Sequence, residues 1–378
     1  MSTSSVALEP KRHYPILDGL RGVASVIVII FHTFEVYSGG DPKKQILNHG
    51  YLAVDFFFLL SGFVVAYAYD DRWTRMNFLD FAKRRLIRLQ PMVVMGSIIG
   101  AALFYFQGGS TFPLVAVTPV WKMLLIMLIG CTLIPIPVSW DIRGWQEMHP
   151  LDGPGWSLFF EYVANILYAL VLRRLANRWL AVLTFVAGVF LLHMAITSHG
   201  GDVIGGWSIT SLQLHIGFAR LLYPFMAGIL LMRVGKLITV PAGFATASLL
   251  LIAALCIPRI GSPNHVWQNG LYDALCILIV FPIIVAIGAG SSESDGKMQR
   301  LSKFLGDLSF PLYITHYPLI YIQTAWVMQS HPPLWKSIVV GVLLFVTAIT
   351  IAYASLKLYD EPVRKWLSAR YLHLRKPV

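Results

Sequence analysis

Residues 17–37 read LDGLRGVASVIVIIFHTFEVY, the first of a series of long apolar runs that continues to near the C-terminus. A run this apolar and this long crosses a bilayer as a helix, because only a segment that satisfies its own backbone hydrogen bonds survives in hydrocarbon. Yet it carries Arg21 and His32, eleven positions apart. At roughly 100° per residue, that spacing returns both side chains to nearly one helical face, about 16 Å apart along the axis. An ionisable residue inside a span marks a functional path by default, since burying it unpaired costs several kcal/mol. Two plainer readings stand beside this one: Arg21 is near enough to one end to reach headgroups, and His32 to bond a neighbouring helix.

The remaining composition fits one membrane body. Hydrophobic residues make up 56% of the 378 and charged residues 13%, well below a soluble protein's usual quarter. No polar region is long enough for a separate soluble domain. The expectation is a single all-α polytopic domain over residues 14–364, between a cytoplasmic N-terminal tail (1–13) and a basic cytoplasmic tail (365–378). The net charge of +11 does not argue for nucleic acid, because Lys and Arg gather at the ends of apolar runs. There they set topology and meet anionic lipid headgroups. Cys131, Cys256 and Cys276 lie in apolar stretches with neither a metal-ligand spacing nor a disulfide framework, so packing is their expected role and no metal site is expected. The opening MSTSSVALEPKRHYP lacks a signal peptide's apolar core and small-residue cleavage site, so the first helix is expected to stay uncleaved.

Further spans are predicted at residues 50–69, 89–106, 156–172, 179–197, 212–232, 242–257, 271–289, 304–327 and 334–356. Asp18 is the predicted N-cap of the first. Residues 72–88, with Arg72, Arg75, Lys83, Arg84, Arg85 and Arg88, predict a surface helix leading into the third span, whose first turn would take Pro91. Residues 112–138 are apolar enough to span but hold Pro119, Lys122, Pro135 and Pro137. The basic loops fix the orientation: Lys11 and Arg12 lie inside, as does the loop at 72–88. Counting back from the basic tail, residues 291–303, then Arg233 and Lys236, then Arg173, Arg174 and Arg178 fall inside too. Only an even number of crossings satisfies both ends. The prediction is about ten transmembrane helices with both termini cytoplasmic, plus a re-entrant or interfacial segment at 112–138. Eleven crossings with an exterior tail is the alternative.

On this topology Arg21 lies near the cytoplasmic mouth and His32 toward the outer half, like two ends of a pathway. Near neutral pH a histidine can take a proton from a hydroxyl; Glu35, one turn on, either orients the ring or sits at the water boundary. No G-x-S-x-G elbow and no H-x-x-x-D signature occurs, and Ser25 is about two turns away, which favours direct transfer to a bound acceptor over a covalent serine route. Asp55 in GYLAVDFFFLLSGF and Glu161 in GPGWSLFFEYV are carboxylates within apolar runs, both placed on the outer side, and they need partners. His49 is close in sequence to Asp55, and Ser61-Gly62 permit close helix packing. Arg84, Arg85 and Arg88 suit phosphate, although topology alone yields the same residues. Arg220, ahead of Tyr223 and Pro224, is deep in an apolar run and must face a partner or a cavity. Asp307, Tyr313 and His316 open a span near the cytoplasm, with a kink expected at Tyr317-Pro318, and Glu361-Pro362 reads as a helix stop.

Taken in order, LDGLRGVA with Arg21-x10-His32, GYLAVDFFFLLSGF, FAKRRLIRLQP, GPGWSLFFE, Arg220 followed by Pro224 and Gly228, LSFPLYITHYP and the closing Glu361-Pro362 resemble the acyltransferase-3 family of bacterial membrane O-acyltransferases. The resemblance covers about residues 14–364. It implies transfer of an acyl group, most often acetyl, from cytoplasmic acyl coenzyme A to a hydroxyl of a sugar or glycan at the outer face of the bacterial inner membrane. It implies His32 as the catalytic centre, Arg21 as its partner on the donor side, Arg84, Arg85 and Arg88 for the coenzyme phosphates, and Glu161, Arg220 and His316 as pore residues. Two departures stand out. Many relatives have WSL followed by a hydrophobic residue, a glutamate pair and a glutamine, where Ser157-Leu158-Phe159-Phe160-Glu161-Tyr162 keeps one carboxylate. The fused soluble hydrolase-like domain that some members append is not expected here.

The expected catalytic set is therefore His32, Arg21, Glu161 and Asp55, with His32 as general base, no covalent acyl-enzyme, and Asp55, Glu161 or a water network orienting the ring. The expected set for the acetyl-CoA or other acyl-CoA donor is Arg84, Arg85, Arg88, Arg220, Tyr313 and His316. The span from Arg21 to His32, about 16 Å by helical rise, suits an extended pantetheine arm. Partners are a glycan acceptor and anionic lipids, and a homodimer is compatible with the sequence. The rival class is a transporter or flippase of lipid-linked glycans, which a thioester turnover assay separates.

Overall fold

The computed structural model describes residues 13–41, 44–293 and 295–372; Lys11, Arg12 and the rest of residues 1–12, and the end of the basic tail at 373–378, lie outside the described residues. In chain order the helices are α1 (Pro15–Ser38), α2 (Ala53–Tyr69), α3 (Phe78–Leu103), α4 (Pro113–Val117), α5 (Val120–Gly130), α6 (Gly155–Leu170), α7 (Asn177–Thr197) and α8 (Ser211–Val234). They continue with α9 (Gly243–Cys256), α10 (Trp267–Leu275), α11 (Phe281–Gly290), α12 (Gly296–Thr315), α13 (Tyr317–Ser330), α14 (Leu334–Ser355) and α15 (Glu361–Tyr371). No sheet occurs among the described residues. Eight helical stretches are long and apolar enough to cross a membrane: α1, the stretch through α2, α3, α6, α7, α8, α10 with α11, and α14 with α15. Two shorter apolar helices, α5 and α9, join them. The chain is an all-α, multi-pass membrane protein. Exposed apolar side chains on α7 and α14, such as Phe185, Val186, Val342 and Val346, make surfaces suited to lipid and not to water.

Three local expectations give way to specific chemistry. The first helix starts at Pro15, where a missing N–H costs nothing, so Asp18 is a first-turn residue and not the cap. Its carboxylate faces the positive end of the helix and accepts from Arg21 at 2.7 Å. The expected surface helix and third span are one helix, α3, with Pro91 in its interior. A reciprocal capping box between Asn77 and Asp80, together with the Arg85–Glu161 ion pair, holds the turns ahead of that proline helical. The chain also does not stop at Glu361-Pro362. A π-helical turn at Leu356–Asp360 lets α14 run on into α15, placing Pro362 in the first turn of the new stretch.

Close helix contacts position the interior. A Cβ on Gly22 of α1 would meet the Leu305 carbonyl of α12 at 2.3 Å, and one on Gly228 of α8 would meet the Leu59 carbonyl of α2 at 2.1 Å. Only glycine allows backbones this near. The first contact draws Arg21 to Ser309, whose Oγ accepts from Nε at 2.9 Å, while Ser25 Oγ donates to the Ser309 carbonyl at 3.0 Å. The second aligns Asp55 on α2 with Arg220 on α8. Between α5 and α6 the chain is largely irregular and buried from residue 147 to residue 155. Lys122 Nζ, early in α5, lies 3.4 Å from the Asp141 carbonyl that follows it, and Gln90 of α3 donates to the Cys131 carbonyl at the other end of α5.

Candidate active site

Two of the cavities among the described residues lie along α1. The one beside the first half of α1, the inner cavity, of about 230 Å³, is lined by Arg21, Ser25, Ser61, Arg85, Arg88 and Glu161 among others. The one beside its second half, the outer cavity, of about 370 Å³, is lined by His32, Glu35, Tyr51, Trp156, Arg220 and Tyr317 among others. The two linings share Val54 and Tyr313. Arg21 and His32 thus open onto different cavities from one helix.

The inner cavity is a network of paired charges. Arg85 Nη2 donates to Glu161 Oε1 at 2.5 Å, and Ser61 Oγ donates to the same oxygen at 3.0 Å. Sequence reasoning set Glu161 at the depth of His32, but the chain at residues 147–155 is itself buried, so α6 starts within the body and Glu161 lies beside Arg85. Arg84, Arg85 and Arg88 do not converge either. Arg85 is buried against Glu161, Arg84 lines a separate groove with residues of α15, and Arg88 lines both that groove and the cavity. Ahead of α1, His13 Nε2 stands 2.6 Å from Asp18 Oδ2, and that hydrogen bond raises the imidazole pKa.

In the outer cavity His32 Nδ1 is 2.7 Å from Glu35 Oε2. Glu35 is the carboxylate at hydrogen-bond distance from His32 among the described residues, whereas Asp55 and Glu161 are engaged by arginines. The His32 ring meets Tyr317 edge-on at 4.8 Å and stacks on His316 at 5.6 Å. His316 is fully buried where α12 breaks into α13, with Nδ1 donating to the Tyr313 carbonyl at 2.8 Å. Sequence reasoning placed Tyr313 and His316 near the cytoplasmic start of a span; α12 begins earlier, at Gly296, and carries them inward to His32. Asp55, fully buried, accepts from Arg220 Nη2 at 2.7 Å, and Arg220 also donates to the Tyr51 and Gly205 carbonyls. Such a pair is tolerated because each guanidinium nitrogen finds an acceptor.

Several lining residues escaped the sequence reading. Trp145, Glu147 and Trp207 come from irregular loops that no periodicity marks. Glu147 accepts from Tyr321 Oη at 2.6 Å, and burial pushes its carboxyl up to about 7 despite Arg143 beside it. Polar residues in WQEMHP, caught between two apolar stretches, were the available signal. His49 bonds the Ile257 carbonyl and Asn269, and burial lowers its pKa, so it supports the outer loops and not the cavity.

Comparison with known proteins bears on the chemistry. The chain is 34% identical over 167 residues to "Protein 2 in picA locus" of Rhizobium radiobacter, covering 42% of this chain and 83% of that one. It is 25% identical over 377 residues to O-acetyltransferase OatA of Staphylococcus aureus, covering 94% of this chain and 58% of the relative. This chain therefore spans little more than half of OatA. No solved structure matches it. The acyltransferase-3 family, described as an acyltransferase domain, matches residues 14–357, nearly the whole membrane body. By that match, the chain belongs to the acyltransferase-3 family.

Proposed function

We propose that the protein transfers an acyl group, acetyl in the simplest case, from cytoplasmic acyl-CoA to a hydroxyl of a sugar or glycan acceptor at the outer face of a bacterial inner membrane. The observation that carries this reading is the pair of cavities, arginine-lined on one side and histidine-lined on the other, that meet at Val54 and Tyr313. Ten crossings are proposed: α1, α2, α3, α6, α7, α8, α9, α10–α11, α12–α13 and α14. Both termini are then cytoplasmic. The α4–α5 stretch enters and leaves by the outer side, a reading supported by the contact of Lys122 with Asp141.

The donor's phosphates meet Arg88 and Arg21 at the inner mouth, where arginine forks suit phosphate oxygens. Its pantetheine arm follows α1 past Ser25 and brings the thioester carbonyl to the Val54–Tyr313 partition. In the outer cavity, aromatic faces from Trp145 and Trp156 suit the apolar faces of a sugar ring. With Nδ1–H donated to Glu35, the His32 lone pair lies on Nε2. That nitrogen takes the acceptor hydroxyl's proton as its oxygen attacks the thioester carbonyl. The tetrahedral intermediate collapses, the C–S bond breaks, and the departing sulfur recovers the proton from His32. No covalent acyl-enzyme forms. The Asp55–Arg220 pair and His316 hold the walls around His32.

Radiolabelled acetyl-CoA with purified protein tests the reading. His32→Ala abolishes transfer while calorimetry still registers the donor; an active His32→Ala protein overturns the assignment. Arg88→Glu weakens donor binding, and unchanged affinity removes Arg88 from the donor site. A wild-type protein that neither binds nor turns over the thioester belongs to the carrier class.

A further inference from the structure

Among the described residues that line the outer cavity, only Glu147 has a buried side-chain polar atom without a hydrogen-bond partner. Tyr321 Oη fixes its Oε1 at 2.6 Å, and Oε2 is the orphan. Arg143 Nε stands 3.5 Å from Oε2, but Nε and Nη2 donate to the Pro150 carbonyl and Nη1 to Gln107. The guanidinium therefore supplies charge to this carboxylate and no hydrogen bond. A buried oxygen without a donor is costly, and one retained on a cavity wall suits a ligand that brings the donor.

The loop that carries Glu147 is tied at several points. The Asp141 carboxylate accepts from the backbone N–H groups of Arg143, Gly144 and Gln146, and the Met148 N–H donates to the Trp207 carbonyl at 2.7 Å. Between these ties Gln146 is held at φ 56°, a left-handed conformation disfavoured for a residue with a Cβ. Such strain persists only where the surrounding structure fixes it. Here it lies between Trp145 and Glu147, the two residues that this loop gives to the cavity. The Trp145 ring is backed by Phe112 at 4.8 Å and by Tyr321 at 6.2 Å, so the residue that fixes the carboxylate also supports the indole. Tyr317 links this wall to His32, its ring centroid lying 4.8 Å from that of the imidazole and 4.7 Å from that of Tyr321. An indole face and a carboxylate in one wall suit a pyranose ring, which has an apolar face and a rim of hydroxyls in need of acceptors.

We propose that the loop from Asp141 to Met148 is the acceptor-recognition element: a pyranose stacks on Trp145 and donates one hydroxyl to Glu147 Oε2, which presents another hydroxyl to His32. Glu147 thereby sets which hydroxyl of the sugar is acylated. The inference deepens the transfer reading above and rests on it.

Purified protein is assayed with acetyl-CoA and the p-nitrophenyl β-glycosides of glucose and galactose, each beside its monodeoxy analogues. On wild-type protein one analogue, lacking a hydroxyl other than the one acylated, shows an acceptor KM about tenfold above its parent, the loss of roughly one charge-assisted hydrogen bond. Glu147→Gln raises KM for the parent glycoside by the same factor and removes the difference between parent and analogue, while KM for acetyl-CoA does not follow. Tyr321→Phe, which keeps the carboxylate but frees Oε1, shrinks that difference and carries the test should the glutamine variant fail to fold. A deoxy penalty absent from wild type, or of unchanged size in both variants, overturns the acceptor role, as do KM values for donor and acceptor that rise together. Acetyl-CoA bound or cleaved with no acetyl on any glycoside overturns the pyranose assignment and leaves acyl transfer standing. Protein that neither binds nor cleaves the thioester overturns the transfer reading, and the acceptor site with it.

Discussion

The Nδ1 of His32 stands 2.7 Å from Oε2 of Glu35, one turn further along α1, and this contact determines which ring nitrogen carries the proton. A carboxylate accepts only, so Nδ1 donates and Nε2 keeps the lone pair. Glu35→Gln, which no longer favours one tautomer, lowers kcat on the order of 10–100-fold, the range typical when a group that orients a histidine is lost. Donor affinity by calorimetry stays near the wild-type value. An equal fall in donor affinity and kcat points to damage in the helix and sinks the orienting role.

Asp55 and Arg220 are fully buried partners joining α2 to α8, and removing one strands the other. Asp55→Asn destabilises the protein by about 3–5 kcal/mol, read as a fall in Tm in detergent. The double variant Asp55→Leu with Arg220→Met recovers most of that loss, because it removes both charges together. Losses that simply add would show that the two residues act independently.

How far these features were legible in the sequence follows from the range of the forces involved. The spans were legible because a long apolar run is a local property: the stretch predicted at 50–69 is Gly50–Tyr69 in the structure. Pro91 and Pro362 misled, because a proline's local preference yields to neighbouring ion pairs, a capping box and a π turn. Glu161 and Arg84 were singled out by charge alone, but their placement depends on how deep in the body α6 starts and which way α3 faces, which depend on tertiary packing. Glu35 was visible from its spacing to His32, whereas Glu147 and Trp145 sit in irregular chain with no period to read.

Glu147 makes stability depend on pH. Its folded carboxyl titrates at about 7, above the ordinary value of 4.5, because burial outweighs the pull of Arg143. Between those values the folded protein holds a proton that the unfolded chain has released. Stability is therefore full below the ordinary glutamate range, falls as pH rises toward about 7, and levels off above. A series of Tm measurements across that window shows the decline, and Glu147→Gln flattens it. A decline that persists in the glutamine variant assigns the effect to another group.

Val54 and Tyr313 form the partition between the cavities, with Tyr313 Oη 2.8 Å from Ser157 Oγ. A side chain at this point limits what passes, so its volume sets tolerance for acyl length. Val54→Ala raises the rate with butyryl-CoA relative to acetyl-CoA, and Val54→Phe lowers that ratio, each by roughly tenfold, within the 10–200-fold range that one methylene commands in an apolar pocket. If both substitutions scale the two donors alike, the partition does not lie on the acyl path.

The contact between Lys122 and Asp141 carries the topology of the proline-rich stretch. One lies in the first turn of α5 and the other beyond its far end, yet Lys122 Nζ is 3.4 Å from the Asp141 carbonyl. A straight crossing would set the ends of this stretch apart by the hydrocarbon thickness of about 30 Å. Single cysteines at 122 and 141, in a protein whose Cys131, Cys256 and Cys276 are replaced by serine or alanine, are expected to react alike with a membrane-impermeant maleimide added outside intact cells. A cysteine at 303, where Lys303 lies on α12 and pairs with Asp307, should react only after permeabilisation. The return of the chain to one side also keeps the proposed number of crossings even, since an extra span at α5 would carry every later helix to the opposite orientation. Labelling of position 122 from outside and position 141 only from inside would replace the re-entrant element with a crossing and move Arg173, Arg233 and α15 to the exterior.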